Sequence, residues 1–464
     1  PLGGGAMSAV TLMRSAVSST SEGRSQRQIG ERWVRALSLV SVTVATWMLC
    51  TLMGGTWMFV ARNMHPHEAL VEVDPLSMAY VFLALFASVL LVPSLLGLLT
   101  QAARANLGGR EEHLAVLRLI GATAGEVRGM MILESLRQAL VGLVLGSVLY
   151  VVTCPAWSLL AFQEKRVGAW EMLTWWVIPV AWIVVLVLAA CSVWLALRRV
   201  AVTPLGVTKK IPPKGQSVIT LVLSVVGAVL LYRYLSSLTI APEADALEFV
   251  VVLVVAGGIL TVNALIAVGV IQLLARLSYR MPGAANYVAT RRVGRGAKTT
   301  WKRVTALYFV AFIGGVGGWF SAVPEIDEAP ALMMIAGDIP SGVVITVVFA
   351  TLLMVSSTLL TQALGVVEQK QLTKSLYFIG APAAFHTKVA VREVGIPMLV
   401  VTLLGFGMGS LMGTAMVVAH VNVLDKVALF GALVVVALIG CVLAVLGTGR
   451  LREQVLLGMG RAKD

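Results

Sequence analysis

The sequence predicts an all-α integral membrane protein, and three observations point there. The 464 residues are 58% hydrophobic and only 13% charged, with a mean hydropathy of +0.90. Soluble domains average about 45–50% apolar and about 25% charged residues. The apolar residues also gather into about ten runs of 20 or more uncharged positions, the length a helix needs to cross hydrocarbon. Finally, the cations alternate from one side of these runs to the other.

In chain order the candidate spans are 36–61, 77–102, 138–162, 173–197, 217–240, 249–275, 304–323, 341–367, 397–419 and 427–449. None alternates polar with apolar residues as a barrel strand does, so helices must satisfy the backbone within the bilayer. All but five of the 36 cations fall before the first span, after the last, or in every second connection. The remaining connections hold only Arg62, Lys165, Arg166 and Lys426, with Arg233 inside the span 217–240 toward its outer end, and they carry more than half of the 23 acids. Lys and Arg stay in the cytoplasm, so both termini are expected there, in a multi-pass protein of a bacterial-type plasma membrane. The net charge of +13 is therefore topological, and no nucleic-acid partner is expected.

The outer connections, 62–76, 163–172, 241–248, 324–340 and 420–426, are too short for a folded domain. The inner ones at 103–137 and 368–396 are longer and read as helical hairpins. Ahead of the first span, Arg24 to Leu37 is basic and amphipathic, and is expected to lie along the interface. Residues 1–35 then form a cytoplasmic tail with this interfacial helix, and 451–464 a second cytoplasmic tail. The PLGGGA stretch ahead of Met7 reads as an appended remnant. Cys50, Cys154, Cys191 and Cys441 fall in or beside apolar runs without metal-ligand spacing, and read as small buried hydrophobes.

Apart from Arg233, no ionisable residue falls in the middle of a span, whereas carriers coupled to protons or ions place a charge there. Asn263 and Gln272 read as interhelical hydrogen-bonding groups. The nearest approach to a phosphate loop, Gly294 to Thr300 (GRGAKTT), lacks the Gly directly before the Lys. No catalytic residue and no directly bound cofactor is expected. Energy has to come from another chain.

The two inner hairpins resemble each other. REEHLAVLRLIGATAGEVRGMMILESLRQALVGLVLG starts at Arg110 and QKQLTKSLYFIGAPAAFHTKVAVREVGIPMLVVTLLG at Gln369. Without a gap, Leu117 falls on Leu376, Ile120 on Ile379, Gly121 on Gly380, Ala122 on Ala381, Glu134 on Glu393 and Gly146 on Gly405. An Ile-Gly-Ala triplet, a Glu and a Gly kept in register indicate an internal duplication. Spans one to four (36–200) correspond to spans seven to ten (301–450), with a two-span linker at 201–300.

A charged helix leading to an LIGA turn, then a Glu opening an apolar Gly-containing span, resembles the FtsX/MacB-type (type VII) ABC transporter permeases. The duplicated layout is similar to the peptide-antibiotic resistance and lipoprotein-release permeases, without their large extracytoplasmic domain. The resemblance implies two FtsX-like four-helix units, each presenting a coupling helix to an ATPase subunit. It assigns Leu117, Arg118, Gly121 and Ala122, with Leu376, Gly380 and Ala381, to ATPase contact. A short helix ending in Gly-Ala is also a flat apolar knob that suits a cleft in another protein, although the same Gly serves equally to close a helix.

Glu134 and Glu393 lie at the cytoplasmic mouths of their spans. They read either as stalk residues paired with Arg137, Arg128 or Arg392, or as plain interfacial carboxylates. The implied partners are two ABC ATPase subunits carrying ATP and Mg²⁺, membrane lipid, and a hydrophobic or amphipathic substrate. An antimicrobial peptide, lipopeptide or lipid fits best. The alternative is a mechanotransmitting or signalling subunit that moves no substrate.

Overall fold

A computed structural model describes residues 5–65, 77–105, 124–201, 217–237, 246–280, 282–320, 330–368, 380, 383–416, 424–447 and 449. The helices in chain order are α1 (Gly5–Met64), α2 (Ser77–Ala105), α3 (Ala124–Thr153), the short α4 (Ala169–Met172) and α5 (Val177–Ala201). They continue with α6 (Val218–Ser237), α7 (Ala246–Leu277), α8 (Ala284–Arg295), α9 (Ala297–Phe320), α10 (Pro330–Glu368), α11 (Ala383–Met416) and α12 (Leu424–Gly447). Among the described residues, eight helices are long and apolar enough to cross a membrane. The apolar stretches Ile219–Arg233 and Leu307–Trp319 are shorter. The chain is an all-α membrane protein; each expected span overlaps a helix, but the one expected at 138–162 outruns its helix, which ends at Thr153.

The outward-facing side chains say the same. Along α3, Val144, Val148 and Val152 are 48%, 55% and 67% exposed. An apolar stripe of that kind suits lipid and not water. On the same helix Gly142 and Gly146 face α1.

Two expectations need correction. α1 runs unbroken from Gly5, so the expected interfacial segment is continuous with the first span. Nothing between Arg24 and Leu37 stops a helix, a lone Gly30 being only a weak breaker. The expected outer connection 324–340 is shortened too, because α10 starts at Pro330 and carries Pro340 in its interior. Proline at the first helical position is pre-set for the helix. Asp338 therefore stands on a helix rather than in a loop. Of the four cysteines, Cys50, Cys154 and Cys441 are buried, whereas Cys191 is exposed on α5.

The packing falls into two sets of four helices. In the first, α1 touches α2, α3 and α5, and α5 touches α2 and α3. In the second, α9 touches α10, α11 and α12, and α12 touches α10 and α11. The pattern is the same when α1, α2, α3 and α5 are replaced by α9, α10, α11 and α12. The sets meet through α2 against α10, α1 against α10 and α2 against α9, an arrangement consistent with a two-fold relation passing between α2 and α10. The pair α6–α7 packs on the second set, through α7 against α9 and α11.

The close approach inside each set has one physical cause. A β-carbon at Gly146 would lie 2.7 Å from the Thr43 carbonyl oxygen and 2.6 Å from Thr46 Cβ. At Gly405 it would lie 2.6 Å from the Tyr308 carbonyl oxygen and 3.2 Å from Ala311 Cβ. In both sets, then, the third helix seats its repeat glycine on one turn of the first helix, against the carbonyl of one residue and the side chain three further on. Backbones meet this closely in membranes because van der Waals packing, not the hydrophobic effect, drives their association.

Candidate functional site

The elbows come first. Leu117, Arg118, Gly121, Ala122, Leu376 and Ala381 lie outside the described residues. Gly380 is described, and it is exposed with φ +93°, a conformation that favours glycine. A β-carbon there would meet nothing within 4 Å, so the backbone alone calls for glycine. The stalk helices that follow begin at equivalent repeat positions, Ala124 for α3 and Ala383 for α11. Glu134 and Glu393 each sit in the third turn.

The surroundings of these two carboxylates differ. Glu134 is exposed on α3, and one turn later Gln138 Nε2 donates to the Arg35 carbonyl of α1 at 3.0 Å. Glu393 accepts from Arg292 Nη1 at 3.2 Å, with the two side chains 17% and 33% exposed. The partner is Arg292 on α8, not the adjacent Arg392. Sequence neighbours on a helix point to different sides, whereas α8 packs flat on α11. Each stalk is thus tied within its own set, α3 to Arg35 of α1 and α11 to α8, which leads into α9.

At the opposite end of the bundle stands a polar cluster that sequence reasoning did not single out. A 3₁₀ turn (Cys154–Leu159) leads into a two-stranded hairpin, β1 (Ala161–Phe162) and β2 (Lys165–Arg166), with Ala161 opposite Arg166 and Phe162 opposite Lys165. Its two turn residues, Gln163 and Glu164, both have φ 59°. A two-residue hairpin of this hand favours Asn-Gly, and each non-glycine residue held left-handed costs about 1–2 kcal/mol.

Charge-assisted hydrogen bonds of about 1.5–3 kcal/mol each are large enough to offset that strain. Asp338 Oδ2 accepts from the Gln163 backbone N–H at 2.7 Å and from Tyr80 Oη–H at 2.7 Å. Arg62, only 5% exposed, donates to the Phe162 carbonyl at 2.9 Å and to Glu171 Oε2 at 2.6 Å. Lys165 holds the other oxygen of Glu171 at 2.8 Å.

Asp338 belongs to α10 of the second set, and Tyr80 and Gln163 belong to the first. The carboxylate therefore clasps the two sets together at this end. At the far end, Gln101 Oε1 of α2 accepts from Ser357 Oγ at 3.0 Å and from Thr361 Oγ1 at 2.7 Å on α10. Between the clasps, Phe349 of α10 lies 5.7 Å from the Trp47 ring and 5.9 Å from that of Trp157. α2 and α10 run parallel, bridged at both ends. Asp338 falls in the expected connection 324–340 and Gln101 at the end of the expected span 77–102, and no signal in one sequence pairs residues so far apart.

The clasp makes a prediction. Asp338→Ala leaves the Gln163 N–H and the Tyr80 hydroxyl without their acceptor, and each loss costs about 1–3 kcal/mol where water is scarce. Amide hydrogen exchange at Gln163 is expected to quicken by about tenfold or more, with Asp338→Asn intermediate. Unchanged exchange through 161–166 would remove the clasp.

The geometry defines a polytopic helical membrane protein with paired four-helix sets, a stalk helix in each set and a clasp between the sets. Residues 84–205 match the family described as FtsX-like permease C-terminal, so this segment is similar to that permease domain. The match takes in most of α2, the first elbow with Leu117, Arg118, Gly121 and Ala122, the stalk α3 with Glu134, the hairpin and α5. The family implies a membrane subunit of an ABC transporter that works with ATPase partners. No curated protein matches the chain.

Proposed function

We propose that this chain is the permease of an ATP-driven exporter, taking one ATPase subunit on each of its two elbows. The FtsX-like match carries this reading, because it spans an elbow and its stalk together. The like packing of the two helix sets supports a second, equivalent docking point at Leu376, Gly380 and Ala381. ATP and Mg²⁺ reside on the partner subunits, and this chain supplies motion rather than hydrolysis. Both termini and both elbows face the cytoplasm of a plasma membrane.

The proposed mechanism follows from the contacts. Closure of the ATPase pair drives the elbows together. The stalks α3 and α11 pass that displacement to α1 and α9 through the seats of Gly146 and Gly405, where no compressible side chain intervenes. Arg292–Glu393 and Gln138–Arg35 keep each stalk and entry segment moving as one. At the outer end the displacement parts α2 from α10 by opening the Asp338 clasp. Apolar walls with so few charges suit a lipophilic or amphipathic substrate, such as an antimicrobial peptide, lipopeptide or lipid.

The test is affinity purification of the full chain in mild detergent, followed by reconstitution with the ATPase that accompanies it. An ABC ATPase is expected to co-purify, and its hydrolysis to rise with an amphipathic peptide or lipopeptide that leaves loaded vesicles. A chain that purifies without an ATPase and moves substrate by itself would overturn the proposal.

A further inference from the structure

We propose that the cleft between α7, α8 and α11 binds an anionic phospholipid, with the phosphate on Arg392 and one acyl chain between the helices. The cleft is an open groove of about 320 Å³, its solvent-filled mouth included. Ile271 and Leu274 of α7, Val293 of α8, and Ile396 and Val400 of α11 give it apolar walls. Arg392 also lines it. Among the described residues Arg392 has neither an ion pair nor a hydrogen bond, because the neighbouring Glu393 is taken by Arg292. A half-buried guanidinium beside an apolar wall needs an anion that brings its own hydrocarbon.

Charge selects the same ligand. Glu393 is the single carboxylate within residues 270–300 and 383–400, where Arg276, Arg280, Arg291, Arg295 and Lys298 also lie. Those five cations are exposed. α8 itself is amphipathic. Ala285, Ala289 and Val293 are buried, while Arg291 faces outward over the Tyr287 ring at 5.2 Å. A helix of this kind rests at the headgroup boundary, and clusters of cations there attract anionic lipid. Free phosphate would find one cation and the hydroxyls of Ser278 and Thr290, but it would leave the apolar walls uncovered. A lipid satisfies the charge and the walls together.

The test uses the full chain alone in detergent, so its result is independent of any ATPase and of the transport reading. Delipidated wild type, Arg392→Lys, Arg392→Gln and Ile396→Trp are each titrated with phosphatidylglycerol or phosphatidylcholine, and bound lipid is read by native mass spectrometry. Wild type and Arg392→Lys are expected to hold phosphatidylglycerol over phosphatidylcholine. Arg392→Gln should lose about fivefold of that preference, the worth of one cation at a membrane surface. Ile396→Trp, which fills the cleft and keeps the charge, should lower retention of both lipids. Equal phosphatidylglycerol binding by wild type and Arg392→Gln would overturn the site. So would displacement of the lipid by inorganic phosphate at equal concentration, which would mark a site for the bare anion.

Discussion

Gly121→Arg is expected to abolish ATPase stimulation while the chain stays inserted and folded. On the proposed docking, a guanidinium in place of Gly121 would not fit an ATPase cleft that takes glycine. Losing a central contact of a docking surface costs about 2 kcal/mol or more, about thirtyfold in affinity. The measurement pairs substrate-dependent ATPase activity with co-purification of the ATPase, and near-UV circular dichroism reports on folding. Gly380→Arg should act in the same direction, with an added backbone penalty of about 1–2 kcal/mol because Gly380 has φ +93°. Gly380→Ala separates the two effects, since it strains the turn yet adds only a methyl group to open space. Full coupling in Gly121→Arg would dismiss the first elbow as a docking point and leave its glycine as a helix terminator.

Gly405→Leu is expected to damage the fold itself. The first carbon of any side chain at 405 arrives 2.6 Å from the Tyr308 carbonyl oxygen. α9 and α11 must separate to admit it. Overpacking of this kind costs about 1–3 kcal/mol where a core adjusts, and more against backbone atoms that cannot turn aside. Gly146→Leu should do the same between α1 and α3, because the Thr43 carbonyl and Thr46 stand in the corresponding places. The control lies on the same helix. Gly407 has nothing within 4 Å of an added β-carbon, so Gly407→Ala should be neutral or gain up to about 1 kcal/mol of helix propensity. Thermal unfolding in detergent ranks the three variants. Equal midpoints for Gly405→Leu and Gly407→Ala would show that the Gly405 seat carries no packing role.

The membrane class and the helices were legible in the amino-acid order because each rests on local composition. Runs such as 427–449 are apolar throughout, so they form helices in hydrocarbon whatever they touch. Glu134 falls on Glu393 and Gly146 on Gly405 in a single gapless register, and that register also places the starts of α3 and α11 at Ala124 and Ala383. Local composition was less informative at the ends of elements. Nothing marked α1 as continuous with Arg24–Leu37, and Pro340 stands inside α10 rather than ahead of it.

Only the tertiary structure decided which groups meet. It gave Glu393 to Arg292, left Arg392 facing an apolar cleft, buried Arg62 under Glu171, and set Asp338 across the boundary between the helix sets. These are pairings between residues far apart in the chain, and they depend on the rotation and depth of whole helices. A helix shows its neighbours one narrow face, and which face that is follows from close contacts such as the seats of Gly146 and Gly405. Hydropathy locates a span in the bilayer, but it carries no information about rotation around the helix axis. Close packing of the whole bundle settles that rotation.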